Sequence, residues 1–190
     1  MKALTDTQYI RQLVSEGEHC HQDFKFEISD ARKIARSLSA FANTEGGRLL
    51  IGVKDNGKIA GVRSDEEIYM IEAAATMYCK PKVELETQTY KVEGKTVLEI
   101  RINETVSKPV YALDETNKPW AYIRIKDENI LATPVHLKMW QHSKKPEGAL
   151  VTFTEREQRL LDVLKEKLSL NQCCKLCRLN HKTTCELLAL

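Results

Sequence analysis

Residues 30–62 constrain the fold of this chain more than any other stretch. Asp30 stands before ARKIARSLSAFAN (31–43), where Ile34, Leu38 and Phe41, with Ala35 and Ala42, recur at helical spacing. An Asp at that place caps a helix by accepting from its free N–H groups. Asn43-Thr44-Glu45-Gly46-Gly47 ends the helix, and the paired glycines permit positive φ and close backbone approach. RLLIGVKD (48–55) is then an apolar run of strand length, expected to be a buried central strand. Asp55-Asn56-Gly57 is a hairpin-type turn into KIAGV (58–62).

The flanks extend an α+β pattern: a mixed sheet with flanking helices. Tyr9, Ile10, Leu13 and Val14 predict a short amphipathic helix over 6–15, closing near Gly17. In GEHCHQDFKF (17–26) the alternation places Asp23 and Lys25 on one side of an extended segment and Phe24 and Phe26 on the other. SDEEIYMIEAAATMYC (64–79) reads as a helix with an acidic first turn, broken by Pro81. VELETQTYKV (83–92) and TVLEIRI (96–102) alternate on either side of Glu93-Gly94 as a hairpin, and PVYAL (109–113) pairs with WAYIRI (120–125). NILATPVHLKMWQ (129–141) reads as a helix, irregular at Pro134. This first domain is expected to span 1–142, with HSKKPEGA leading through a linker at 143–149.

Residues 150–190 read as a separate all-α unit. Thr154 and Glu157 form a capping box before Leu160, Leu161, Leu164 and Leu168, and Ser169 caps LNQCCKLCRL (170–179). A break at Asn180-His181 and a further helical stretch complete a helix-turn-helix pattern. The chain stops at Leu190 while still apolar and periodic, so a natural domain is expected to continue, as a winged helix would.

Composition excludes more than it selects. With 42% hydrophobic and 29% charged residues over 190 positions, the chain is long and apolar enough for a real core and is not a disordered tract. Lys+Arg 29 against Asp+Glu 27 excludes a strongly basic chromatin-type protein but leaves room for a local basic patch. Neither a signal peptide nor an apolar run of membrane-spanning length is found, so a cytoplasmic protein with no membrane partner is expected and the six cysteines read as reduced thiols.

Neither GxxxxGK[ST] nor GxGxxG occurs, and Gly46-Gly47 precedes a strand rather than a helix N-terminus. The carboxylates are more informative. Glu18, Asp23 and Asp55, if they converged, would hold a hard divalent cation through oxygens, with Lys25 near a phosphoryl oxygen. The plainer alternative makes Glu18 and Asp23 surface residues and Asp55 the turn residue of Asp-Asn-Gly. For the loop, Gly46 and Gly47 are best read as packing residues, while Asn43 and Thr44 are candidates to face a phosphate.

SAFANTEGGRLLIGVKDNGKIAGV (39–62) resembles the hallmark of the Schlafen AlbA-like domain, through Ala40-Phe41-Ala42-Asn43-Thr44, Gly46-Gly47, Leu50-Ile51-Gly52-Val53 and Asp55 with Gly57. Glu18 and Asp23-Phe24-Lys25 match the family's upstream Glu and its acidic-Phe-Lys triplet, with Asp in place of the usual Glu. WAYIRIKDENILAT resembles its aromatic-Tyr-Ile-Arg segment, with Lys126-Asp127 in place of Gly-Ser. The resemblance implies a nucleic-acid-handling domain over roughly 10–140, and bacterial members often carry a C-terminal helix-turn-helix. It implies two main functions. One is a transcriptional regulator binding DNA or RNA. The other is an endoribonuclease with Mg²⁺ or Mn²⁺ on Glu18, Asp23 and Asp55 and with Lys25 beside the phosphate. A third, an ATP-binding sensor, follows only from a family label.

Candidate nucleic-acid contacts are Lys25 and Arg124 in the first domain and Lys175, Arg178, Lys182 and Thr183 in the second. Thr184, Glu186 and His181 lie on or beside the same candidate recognition helix. A regulator reading a palindrome is expected to be a homodimer. Cys174-x-x-Cys177 with His181 and Cys185 has a zinc-like spacing, but the helical positions favour small core residues over a zinc site.

Overall fold

A computed structural model describes residues 4–64, 66–144 and 153–190, which form one unit running to Leu131 and a second from Ala132 to Leu190. The sequence reading carried the first domain to residue 142. The structure divides the chain earlier, and most of the linker expected at 143–149 lies outside the described residues.

The first unit is α+β. Its elements are α1 (Asp6–Glu16), β1 (Gln22–Lys25), α2 (Ala31–Asn43), β2 (Gly47–Ile51), α3 (Glu66–Thr76), β3 (Cys79–Lys80), β4 (Leu85–Val92), β5 (Lys95–Ile102), β6 (Tyr111–Leu113), β7 (Pro119–Ile125) and β8 (Glu128–Leu131). One sheet has the order β1-β2-β5-β4 and the other β3-β6-β7-β8. β1 runs parallel to β2, whereas β2–β5 and β4–β5 are antiparallel.

β2 is central, as its unbroken apolar run predicts. Leu49 and Ile51 point into the core beneath α2 and α3, and Leu50 points into a second core beneath α1. Both faces are therefore covered, which is why the run does not alternate. α2 packs on β6 and β7 of the second sheet and shares the core of β2 and β5 in the first. Asp30 caps it by accepting from Arg32 N at 2.8 Å.

The hairpin-type turn at Asp55-Asn56-Gly57 is formed, with Lys54 N donating to the Lys58 carbonyl at 3.0 Å and Val53 bridging Ile59 antiparallel, although KIAGV adds no strand to either sheet. One local expectation changes. Residues 129–141 are not one helix: β8 pairs with β7, and helix α4 (Pro134–Ser143) begins afterwards, capped by Thr133 with Pro134 in its first turn. A proline disfavours helix in the residue before it and suits the first helical position, so the break falls there.

The second unit is all-α: α4, α5 (Glu155–Val163), α6 (Leu170–Cys177) and α7 (His181–Leu188). Capping boxes at Thr154–Glu157 and Ser169–Gln172 start α5 and α6, and Asn180 caps α7. Leu160, Cys173 and Cys177 form its centre, with Val163, Leu168, Leu179, Leu187 and Leu188 around them. α4 packs on α7, and Lys138 of α4 pairs with Glu186 at 3.3 Å. No helix among the described residues is long and apolar enough to cross a membrane.

Candidate functional site

Strand β1 carries the first group of candidate residues. Asp23 faces the α2 side of the sheet and is 3% exposed. Its Oδ2 lies 2.7 Å from Lys25 Nζ, and its Oδ1 lies 3.5 Å from the Arg124 guanidinium. Lys25 Nζ also donates to the Phe24 carbonyl at 2.9 Å. Glu18, on the turn before β1, accepts from Phe24 N at 2.8 Å. Burial first, then a hydrogen bond to Asp23, push the Glu18 carboxyl above the usual carboxylate range, and the Phe24 N–H and Lys25 oppose this. Glu18, Asp23 and Lys25 are thus brought together.

Asp55 is not brought to them. β2 ends at Ile51, and Asp55 sits beyond the Val53–Ile59 bridge in an exposed turn. Among the described residues no group of three or more His, Cys, Asp or Glu side chains is placed to hold a metal ion. The Asp23 carboxylate already faces two cationic side chains, Lys25 and Arg124, and Glu18 spends one oxygen on a backbone N–H. That donor set does not fit a Mg²⁺ or Mn²⁺ ion, which needs several free oxygens around one point. The metal triad expected at Glu18, Asp23 and Asp55 is corrected accordingly: the turn carries Asp55 past the end of the sheet.

The raised Glu18 has a consequence for stability. Just above the ordinary glutamate pKa, folded Glu18 keeps a proton that the unfolded chain has released. The stability tied to that proton is present at low pH and is lost as pH rises through the folded value. Glu18→Gln still accepts from Phe24 N and donates to Asp23 without titrating. It should therefore be slightly more stable than wild type at pH 7, a small gain because solvent screens the half-buried carboxyl, with the gap closing as pH falls below the ordinary glutamate value. Urea denaturation at pH 7 and below that value measures this, and an equal gap at the two would refute it.

Arg124 is not a nucleic-acid contact, because its side chain is 1% exposed. It donates to the carbonyls of His19 at 3.3 Å and Gln22 at 3.1 Å and to Asn129 Oδ1 at 3.0 Å, and it stacks 5.0 Å from the Phe41 ring centroid. Asn43 and Thr44 are likewise inward. Asn43 donates to the carbonyls of Val110 at 2.8 Å and Tyr122 at 2.9 Å and accepts from Val110 N at 2.7 Å. Thr44 Oγ1 accepts from Arg124 N at 2.9 Å. These two residues bind α2 to the second sheet instead of facing a phosphate. The glycines permit close packing. A Cβ at Gly47 would come 2.5 Å from the Phe41 ring and one at Gly46 2.7 Å from the Ile102 carbonyl, and Gly46 holds φ +72°.

A second group of polar residues lies on the α1 face of the same sheet. Glu99 of β5 is fully buried. It accepts from Tyr9 at 3.1 Å, Tyr90 at 3.0 Å and Arg101 Nε at 3.1 Å, and Arg48 Nη1 is 3.6 Å away. Burial first and then Glu99 push the Tyr90 phenol upward. Periodicity alone did not single these residues out, although Glu99 and Arg101 two apart on one strand are same-face neighbours.

In the second unit Lys175, Arg178 and Lys182 are exposed and Thr183 is half-buried, whereas Thr184 is buried and Glu186 is paired with Lys138. Cys173, Cys177 and Cys185 are the buried members of the cysteine cluster, and Cys174 is half-buried. Burial pushes the Cys177 and Cys185 thiols upward, as suits neutral packing groups.

An α+β domain with a parallel β1–β2 pair, a glycine turn fitted under Phe41 and an inward Asn at the end of α2 describes residues up to Leu131. The Schlafen, AlbA_2 family model matches residues 18–133, and the chain belongs to that family. Among solved structures, the chain is similar to the DIP2311 protein from Corynebacterium diphtheriae, at 18% identity and TM-score 0.49, covering 78% of this chain and 31% of that one. It is also similar to the N-terminal domain of a RecG-related protein from Nitrosomonas europaea, at 24% identity and TM-score 0.47, covering 64% of this chain and 88% of that domain. The chain thus spans about a third of the DIP2311 protein. No curated protein matches it.

Proposed function

We propose that the protein is a transcriptional regulator that binds nucleic acid, with α6 and α7 acting as a helix-turn-helix on duplex DNA. The observation that carries this reading is the link between the two helices. α6 ends at Arg178 in the left-handed conformation, and Asn180 already caps α7, so Arg178-Leu179-Asn180 is the whole connection. A three-residue turn is the length that the motif uses. It leaves Lys175, Arg178 and Lys182 exposed around the start of α7, where phosphate contacts to a recognition helix belong. The Schlafen AlbA_2 domain then serves as a second nucleic-acid-handling module, and a homodimer would match a two-fold site.

Fluorescence anisotropy with a labelled random duplex, titrated at several salt concentrations, tests the reading. Each lost phosphate contact lowers the slope of log K against log salt by about 0.9. The double variant K175A/K182A should lower it by about 1.8 per bound chain, hence about 3.6 with two chains per DNA in the complex. An unchanged slope and affinity would remove the helix-turn-helix from the interface.

A further inference from the structure

We propose that Arg48 and Arg101 form a phosphate-binding pair through which the AlbA_2 domain grips a nucleic-acid backbone. This inference rests on the nucleic-acid reading above and assigns the contact within the first unit.

The two arginines face each other across the β2–β5 ladder, and cross-strand neighbours on one face stand close enough to act on one ligand. Their surroundings fix one arginine and leave the other free. Glu99, fully buried, takes Arg101 through Nε at 3.1 Å and Nη2 at 3.2 Å, and Arg101 Nη2 also donates to the Tyr9 hydroxyl at 2.9 Å. That spends one edge of the Arg101 fork and leaves Nη1 unused. The Arg48 guanidinium makes no hydrogen bond among the described residues and is drawn to Glu99 only at 3.6 Å. Two guanidinium groups thus share one carboxylate, so a positive charge and most of the Arg48 donors remain uncommitted. Arg48 is about a third exposed and Arg101 about half.

Both line an open cleft of about 290 Å³ with His21, Gly46, Gly47 and Asn103. Of the nearby acids, Glu104 is paired with Lys108, Glu86, opposite Arg101 on β4, accepts from Asn103 at 3.3 Å, and Glu45 lies 3.3 Å from the His21 ring. The glycine turn keeps side chains out of the cleft floor. A planar fork held in place beside a second, uncommitted fork suits the tetrahedral oxygens of a phosphodiester, and a buried carboxylate behind them sets the orientation. The cleft is shallow and open, which suits a passing backbone better than an enclosed small anion.

The test uses the full chain and the labelled duplex DNA above, with Arg48→Ala and Arg48→Lys. Arg48 makes only a 3.6 Å ion pair with Glu99 and is a third exposed, so Arg48→Ala should lower the urea midpoint slightly and Arg48→Lys, which keeps the charge, should hold it near wild type. Arg48→Ala should lower the salt slope by about 0.9 per bound chain, and Arg48→Lys, which keeps the charge, should restore it. An Arg48→Ala slope equal to wild type, with K175A/K182A still lowering it, would overturn this inference alone. No DNA binding by the wild type at low salt would overturn the nucleic-acid reading and this inference with it. Calorimetric titration with inorganic phosphate is the second arm. Arg48-dependent phosphate binding beside an unchanged DNA slope would assign the cleft to a free anion and overturn the proposal.

Discussion

Arg124→Met should destabilise the protein by about 3–5 kcal/mol, read as a fall in the urea midpoint at constant m-value. The size follows from what the guanidinium joins. β7 belongs to one sheet and β1 to the other, and the contacts of Arg124 include the carbonyls of His19 and Gln22 and the Asp23 carboxylate. Methionine fills much of the volume over Phe41 but leaves those acceptors without a donor, and it removes one of the two cations beside the buried Asp23. Arg124→Lys should recover little, because an ammonium on a single stem cannot reach two carbonyls, Asp23 and Asn129 at once. Lys175→Ala, an exposed control, should stay within about 0.5 kcal/mol of wild type. A loss below about 1 kcal/mol for Arg124→Met would mean that water or another side chain replaces the guanidinium.

The same residue shows why parts of the site were legible in the sequence and others were not. The Asp30 cap, the α2 stripe, the glycine turn and the β4–β5 hairpin follow from local chemistry, and the structure has each of them. The placement of Asp23 and Lys25 on one side of β1 was equally local, since alternation alone puts them there. Whether an arginine lies inside or outside is not local. Arg124 alternates with apolar neighbours as a surface residue would, and only the arrival of β1 and α2 on that face buries it. Asn43 is similar: its amide is spent on Val110 and Tyr122, far along the chain, so its position at a helix end gave no hint. Asp55 is the opposite case. A turn residue at a strand end can serve a sheet-end site or only the turn, and here Asp55 is exposed in the turn beyond the Val53–Ile59 bridge, as the plainer of its two readings has it.

Glu99→Gln should cost about 2–4 kcal/mol, although Glu99 lies in a strand whose alternation marks its face as polar. Alternation gives the period but not what covers the second face. Here α1 covers it: Ile10 and Leu13 pack with Leu50, Tyr90 and Val97, and Glu99 is sealed between strand and helix. Its carboxylate is tolerated there because two phenols and a guanidinium donate to it. A glutamine keeps one acceptor oxygen but offers an amide where Tyr90 or Arg101 now donates. That places donor against donor and leaves the half-exposed Arg101 without its anion. Tyr90→Phe removes only one hydrogen bond to a charged group and should cost about 1.5–3 kcal/mol. Since both changes dismantle one network, their combined cost should fall short of the sum by about 0.5–3 kcal/mol in a double-mutant cycle. Additive losses, or a Glu99→Gln protein within about 0.5 kcal/mol of wild type, would mean that Arg101 is held by the sheet alone. The buried carboxylate would then have no part in orienting the Arg48–Arg101 pair.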